Sequence, residues 1–204
     1  MIIYKQEKSV YTTDMKKTIP ALLIMFLSFS LYAKSDAGVF FNINTALQYW
    51  SKDGTKSYRM EKSPSASITL SNYNLFLFNS HFGIFETVCL LFEDDFSLDT
   101  NIGIAAAAEL SPKICIQGGP AFHLYNNSVS KNGTYYNNTY IGFGSDLQAK
   151  VQLWRFISAA AGFTLSLDPY WLELSKESGK WYYSNNNNFL NLAFNGYIGI
   201  AFDF

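Results

Sequence analysis

Charged residues are scarce in this sequence. Only 15% of the 204 residues are Asp, Glu, Lys or Arg, whereas 18% are Phe, Trp or Tyr. A soluble domain carries about 25% charged residues, so we expect much of this surface to contact something other than water. The formal net charge is −1, which gives no support to a nucleic-acid or polyanion partner.

Long apolar runs and clusters of reactive residues are also missing. No internal run of 18 apolar residues exists, which excludes an ordinary helical membrane protein. The two cysteines, Cys89 and Cys115, do not make a disulfide framework, and we expect free, buried thiols on opposite faces of strands that are not neighbours. No P-loop, nucleophile elbow or metal-ligand cluster is present, so we predict neither a cofactor nor an enzyme.

The C-terminal stretch, residues 189–204, shows a period of two. One set of alternating positions is apolar apart from Gly196, and the set between them is small or polar. This pattern predicts a strand with one apolar and one polar face. Soluble strands usually have about 5–6 residues, whereas a tilted strand that crosses a bilayer needs roughly 9–11. Few charges, many aromatics and such a strand together favour a transmembrane β-barrel.

Similar alternation predicts six further strands, and a segment that is apolar on both faces predicts one more. The predicted fold class is all-β: a single transmembrane antiparallel up-and-down barrel of about eight strands, in one domain that covers residues 38–204. The strands are predicted at about residues 39–50, 66–78, 82–92, 99–110, 114–125, 139–152, 156–167 and 189–204. Short turns alternate with longer polar segments, predicted as loops, at 51–64, 93–95, 126–138 and 168–188. This asymmetry is typical of outer-membrane barrels with both chain termini on the periplasmic side. The alternative is a secreted β-sandwich, which would have shorter strands and more Lys and Glu on its wet face.

The amino terminus has the composition of a secretory signal. Two lysines precede an apolar segment at residues 19–31, and cleavage is expected after Ala33, with Ala37 as the alternative. We therefore predict that residues 15–33 are a signal peptide. The alternative is a membrane anchor, but the apolar run is too short for one. Residues 1–14 precede a complete signal, so we interpret them as an over-extended start with Met15 as the true initiator.

The last eight residues carry the most specific motif in the chain. Tyr197, Gly199, Phe202 and Phe204 resemble the C-terminal insertion signal of bacterial outer-membrane barrels, with Tyr197 fitting the normally polar first position through its hydroxyl. The chain after the signal peptide resembles the small eight-stranded outer-membrane proteins typified by the membrane domain of OmpA, OmpX and OmpW. This resemblance implies a location in the outer membrane of a diderm bacterium. It also implies contact with outer-membrane lipids and, through the C-terminal strand, with the outer-membrane assembly machinery.

Strand phase places several charged side chains inside the barrel. An eight-stranded barrel is just wide enough for side chains to fill it, or to hold one small ligand. The predicted inner charges are Glu86, Glu109, Asp146 and Lys150. An unpaired buried charge is costly, so Lys150 should pair first with Glu109, since both lie near the periplasmic turns, or else with Glu86 or Asp146. We predict a network of salt bridges and amides that plugs the lumen; a polar conduit is the alternative.

The third predicted strand is apolar on both faces. Continued phase turns apolar residues of this strand and of the end of the second strand inward: Phe76, Phe78, Ile84, Val88 and Leu90. These side chains could line a pocket for a hydrophobic molecule, as the resemblance to OmpW would imply. The alternatives are a bulge that reverses the register and side chains that only fill space.

Two classes of function remain. One is a structural or surface-interaction protein whose loops meet a host, a matrix or outer-membrane lipids. The other is a narrow channel or carrier for small solutes, including hydrophobic ones. The aromatic residues of segments 51–64 and 168–188 favour the first class, although they could instead form the interfacial girdle. Neither His81 nor His123 can be tied to a serine and an acid by spacing, so catalysis finds no support.

Overall fold

The protein is described by a computed structural model that covers residues 34–52, 55–78, 81–92, 96–131, 134–177, 180–186 and 188–203. The predicted start and signal segments, residues 1–14 and 15–33, lie outside the described residues, as does Phe204. The described residues form nine strands: β1 (Lys34–Lys52), β2 (Thr55–Leu77), β3 (Phe82–Phe92), β4 (Phe96–Ser111), β5 (Ile114–Lys131), β6 (Thr134–Trp154), β7 (Ile157–Glu177), β8 (Lys180–Asn186) and β9 (Phe189–Asp203). No helix in this part of the chain is long and apolar enough to cross a membrane.

Eight of the nine strands close into a ring. Antiparallel neighbours follow the chain order from β1 to β7, and β9 then joins β7 back to β1. Paired residues can be followed once round the ring from Lys34, and the path returns to β1 at Ala46, twelve residues further along. A stagger of this size tilts the strands, and eight tilted strands enclose a lumen that side chains can largely fill. The predicted antiparallel up-and-down barrel is confirmed.

The strands extend beyond their predicted ends on one side of the barrel. β1 and β2 stay paired as far as Lys52 and Thr55, and β5 and β6 as far as Lys131 and Thr134. β8 pairs with the distal part of β7 and stands outside the ring. The prediction of loops at 51–64, 126–138 and 168–188 is therefore wrong. The sequence of these hairpins lacks the regular alternation of apolar and polar residues that signals a strand, although the hydrogen-bond ladder continues.

Side chains alternate between an apolar outer face and a largely polar inner face. On β1, Val39, Phe41 and Ile43 are 57%, 53% and 55% exposed, whereas Phe40 and Asn42 are buried. On β9 the even-numbered apolar side chains are likewise exposed, and Asn191 and Asn195 are buried. Apolar side chains outside and polar ones inside reverse the arrangement of a soluble protein and match a barrel that crosses a bilayer.

The second and third strands present faces opposite to those predicted. Tyr73 and Phe85 are both buried inside the barrel and pair across β2 and β3. Neighbouring residues in a strand point to opposite faces, so Asn72, Asn74 and Glu86 belong to the outer face, where Asn72 is buried beside its cross-strand partner Glu86. The prediction assigned the polar residues inward, and it fails here because two aromatic rings fill the lumen at this level.

Both cysteines are free, as predicted, and each is half-buried. They do not lie on opposite faces, however. Cys89 and Cys115 both line internal cavities of the barrel, because the faces of β3 are reversed relative to the prediction.

Candidate functional site

Buried side chains cross the lumen near the middle of the barrel. The rings of Tyr73 and Phe85 stack with centroids 5.5 Å apart. The hydroxyls of Tyr73 and Tyr197 donate to Asp146, at 3.1 Å and 3.3 Å respectively. We call Tyr73, Phe85, Asp146 and Tyr197 the central layer. It separates two chambers, which are named here the termini-side chamber and the hairpin-side chamber.

The termini-side chamber lies where β1 begins and β9 ends, and it has a volume of 350 Å³. Lys150 of β6 reaches across it, with Nζ 2.8 Å from Oδ2 of Asp36 on β1 and in contact with Asp203 on β9. The hydroxyl of Ser158 on β7 also donates to Asp203. These contacts join four strands at the end of the barrel where the first and last strands of the ring meet.

The hairpin-side chamber lies at the opposite end and also has a volume of 350 Å³. At its base, His123 lies between two carboxylates. Its Nε2 is 3.2 Å from Oδ1 of Asp99, and its Nδ1 is 2.7 Å from Oδ1 of Asp168. A protonated imidazole donates from both nitrogens, and this is the form that satisfies both contacts. Asn191 Nδ2 donates to the second oxygen of Asp168 at 2.8 Å.

The wall of the hairpin-side chamber is made of amides and tyrosines. They are Asn44, Gln48, Asn127, Asn138, Asn191 and Asn195, with Tyr125, Tyr136 and Tyr140. The rings of Tyr125 and Tyr140 are 5.7 Å apart, and Phe189 packs behind Tyr140 at 5.6 Å. Trp171 packs against Phe189 in turn, also at 5.6 Å, so the aromatic residues of the wall form one continuous cluster.

The structure gives the predicted charge network different partners. Lys150 contacts Asp36 and Asp203, neither of which was predicted, and its predicted partners stand elsewhere. Asp146 accepts hydrogen bonds from two tyrosines, and Glu86 belongs to the outer face. Glu109 lines the termini-side chamber as an exposed residue. The prediction overlooked how far a lysine side chain reaches across a narrow barrel to strands distant in sequence.

The predicted hydrophobic pocket is not formed. Ile84 is 42% exposed, and Val88 and Leu90 share its outer face, because β3 turns its odd-numbered residues inward. Phe78 lies in the β2–β3 turn, where it is 77% exposed and packs edge-on against Phe82. The side chain of Phe76 lies outside the described part of the structure.

The residues that resemble an insertion signal lie on the strand that closes the ring. Tyr197 points inward and belongs to the central layer, while Phe202 is 49% exposed on the outer face. Gly199 sits where a Cβ would meet the backbone oxygen of Val39 at 2.1 Å, so close pairing of β9 with β1 requires glycine there. Recognition of this strand by an assembly machinery stays a prediction.

Sequence reasoning missed four acidic residues that shape the two chambers: Asp36, Asp99, Asp168 and Asp203. Asp99 lies two residues before Asn101, and Asp203 lies in phase with the polar set of β9, so alternation could have found both. The sequence assigns Asp168 to a loop and Asp36 to the segment before the first strand. Their roles depend on strand ends that the alternation does not mark.

His123 raises the question of catalysis. Spacing in the sequence ties no serine and acid to it, yet strand pairing brings two aspartates to its ring. The hydroxyl of Ser166 donates to Asp168 at 3.3 Å, however, which places it on the acid and not on the histidine that would activate it as a nucleophile. Among the described residues, no group of three or more His, Cys, Asp or Glu could hold a metal ion.

The closed ring, long tilted strands and apolar outer face define a small transmembrane β-barrel of the outer-membrane type. No protein-family model matches the chain, and no curated protein matches it. Among solved structures, it is similar to Neisserial surface protein A, with 13% identity and a TM-score of 0.43 over 81% of this chain and 97% of that one.

Two further solved structures resemble the chain. One is a major outer membrane protein from Thermus thermophilus, with 9% identity and a TM-score of 0.47 over 81% of this chain and 99% of that one. The other is the outer membrane protease OmpT from Escherichia coli, with 9% identity and a TM-score of 0.43 over 86% of this chain and 97% of that one. At these identities and TM-scores, function has to be argued from the chain's own residues.

Proposed function

We propose that this protein is a closed, non-conducting barrel of the outer membrane of a diderm bacterium. Its hairpin side faces the exterior and serves as a surface-interaction module. On this proposal the protein is not an enzyme, and the termini-side chamber faces the periplasm. The outer face contacts outer-membrane lipids, and β9 is the strand that the assembly machinery recognises.

The central layer is the observation that carries the proposal. Tyr73 and Phe85 are each 1% exposed, and Asp146 ties Tyr73 to Tyr197 from the other side of the lumen. Aromatic rings and a hydrogen-bonded carboxylate across the middle of an eight-stranded barrel favour a filled interior over a water-filled pore.

The paired hairpins support a role in surface interaction. They extend as ordered ribbons, and β8 carries exposed aromatic side chains, of which Tyr182 is 48% and Tyr183 61% exposed. Tyrosine combines a large apolar area with a hydroxyl at a low cost in conformational entropy, which suits contact surfaces. Host or matrix molecules are the partners that this surface would meet.

A narrow channel is the second candidate. A void of 30 Å³ lies between the two chambers, with Asp99 and Asp146 in its lining. A void of this size holds about one water molecule. A small rearrangement of the central layer could then connect the chambers.

Bilayer recordings of the refolded protein separate the two candidates. A closed barrel gives no current steps above the bare-bilayer baseline, and sugar-loaded liposomes that contain it do not swell. Stable unitary steps in the wild type would contradict the proposal and establish the channel.

Cysteine labelling on intact cells tests the orientation. In a background without Cys89 and Cys115, a membrane-impermeant maleimide should label Asn185→Cys and spare Lys113→Cys. Lys113 lies in the short β4–β5 turn, at the opposite end from the hairpin that carries Asn185. Labelling of Lys113→Cys alone would reverse the orientation.

A further inference from the structure

The hairpin-side chamber has the size of a small-molecule site. Its volume of 350 Å³ falls near the lower end of the range for ligand pockets. It is bounded by the central layer on one side and by the hairpins on the other. A folded partner would need a contact area of several hundred square ångströms or more, so the chamber itself suits a small ligand or the end of a chain.

Charge in this chamber is balanced. The charged residues of its lining are Arg59, Asp99 and His123, and Asp168 contacts the histidine from behind. With the imidazole protonated between its two carboxylates, these four groups carry two positive and two negative charges. A strongly cationic or anionic ligand would therefore find no surplus of opposite charge here.

Buried amide oxygens without a hydrogen-bond donor occur in the chamber wall. The Oδ1 atoms of Asn127, Asn191 and Asn195 are buried and have no partner among the described residues. The amide of Asn191 is oriented by its Nδ2, which donates to Asp168 at 2.8 Å, so its oxygen remains as the acceptor. A buried acceptor without a donor destabilises the fold, and a ligand rich in hydroxyl groups would supply donors.

Supported aromatic rings complete the chamber. Tyr125 and Tyr140 line it directly, and Phe189 and Trp171 hold Tyr140 in place from behind. Gln48 Nε2 is 3.5 Å from the hydroxyl of Tyr140 across the chamber. Packed aromatic rings offer a flat apolar face to the C–H groups of a sugar ring, while the amides around them meet its hydroxyls.

From these observations we propose that the hairpin-side chamber binds a neutral saccharide unit. The unit is a small free sugar or the end of a glycan chain, which share this chemistry. The inference deepens the proposed function and rests on it, since it names the kind of molecule that the exterior side of the barrel engages.

Titration calorimetry on the refolded protein in detergent tests the proposal. The neutral probes are maltose, lactose and N,N′-diacetylchitobiose, and the charged probes are glucuronate and spermidine. At least one neutral probe is expected to bind, and the charged probes to bind more weakly or not at all. Lactose in solution and the same sugar as a glycolipid head group in vesicles then distinguish a free sugar from a membrane-borne glycan.

Matched variants locate the binding. Gln48→Leu and Tyr125→Leu should each weaken binding by about tenfold or more, since each removes a ligand contact. Gln152→Leu at the other end of the barrel makes the same chemical change as Gln48→Leu outside the chamber and should leave affinity within about twofold. If a chamber variant does not fold, Tyr140→Phe takes its place in the binding measurement, because it removes only a single hydroxyl.

Three results would overturn the proposal. The first is that folded wild-type protein binds no neutral probe. The second is that chamber and control variants lose affinity equally, and the third is that the protein prefers a charged probe. Conductance is recorded on the same preparations. A non-conducting barrel that binds no sugar refutes the saccharide site alone, whereas a conducting barrel refutes the proposed function.

Discussion

The two chambers of the barrel have the same volume, 350 Å³ each, but they differ in how their polar groups are satisfied. In the termini-side chamber, Lys150 lies between Asp36 and Asp203, and Ser158 adds a donor to Asp203. The buried polar atom there that lacks a partner among the described residues is one oxygen of Asp36. Its other oxygen is held by the lysine.

More polar atoms of the hairpin-side chamber lack a hydrogen-bond partner among the described residues. Its charges are matched around His123, yet three amide oxygens of its wall lack donors among the described residues. In the termini-side chamber, ion pairs that join β1, β6 and β9 favour a stabilising role. In the hairpin-side chamber, amide oxygens without hydrogen-bond donors favour the binding of a ligand. The two chambers therefore have equal volumes but different roles, and the central layer lies between them.

Removal of the lysine should have the largest effect on the termini-side chamber. In Lys150→Met, Asp36 is left buried without its counter-charge, and we expect the free energy of unfolding to fall by roughly 3–5 kcal/mol. Urea titration of the folded barrel in lipid vesicles measures this change.

The matched control is the double variant that combines Lys150→Met with Asp36→Asn. It should recover much of the loss, because the remaining pair of Ser158 and Asp203 carries a single charge near the chamber mouth. If Lys150→Met unfolds at the same urea concentration as the wild type, the chamber is hydrated and its ion pairs do not stabilise the barrel.

Opening the central layer should connect the chambers. Phe85→Ala removes a ring that is 1% exposed and stacks on Tyr73, and such a loss costs roughly 3–5 kcal/mol in a packed interior. Bilayer recordings should show current steps that the wild type lacks. Phe92→Ala on the outer face of the same strand is the control and should not conduct. If a correctly folded Phe85→Ala barrel gives no current steps, other side chains keep the chambers separate.

Both chambers are assigned to the interior of a membrane-embedded barrel, and a charge on the outer face tests that assignment. Phe143 is 69% exposed on β6, and Phe143→Arg should lower stability by roughly 2–4 kcal/mol if the residue lies near the bilayer midplane. Tyr182→Arg on β8 makes a similar change on the hairpin and should cost far less. Equal unfolding free energies for the two variants would show that Phe143 does not lie within the membrane.

The strength of alternation decides how much of this structure could be predicted from the sequence. β9 and β6 carry clear alternation with apolar outer faces, and the closed barrel follows from them. β3 is apolar on both faces, so its side chains could be oriented only through the stacking of Phe85 on Tyr73. Here the apparent polar signal of Asn72 and Glu86 pointed to the wrong face.

The site was harder to predict than the fold. Asp146 and Lys150 are placed inside correctly by phase, but their partners come from strands far apart in sequence, and the register of each pair decides which groups meet. The pairing of Lys150 with Asp36 spans 114 positions. No local spacing encodes such a contact, and it follows only once the stagger of the closed ring is known.

The smallest expected effect belongs to Glu109, the residue that sequence phase offered first to Lys150. It lines the mouth of the termini-side chamber and is exposed, so water screens its charge. Glu109→Gln should therefore change the free energy of unfolding by no more than about 0.5 kcal/mol, as for other surface exchanges. Asp36→Asn, an equally conservative change at a buried residue, should cost several times more because it leaves Lys150 without one of its acceptors. Urea titrations of the two variants side by side decide between the partners. A larger loss for Glu109→Gln would mean that the lysine turns to the chamber mouth, and the buried ion pair that joins β1 to β6 through Asp36 would then be lost.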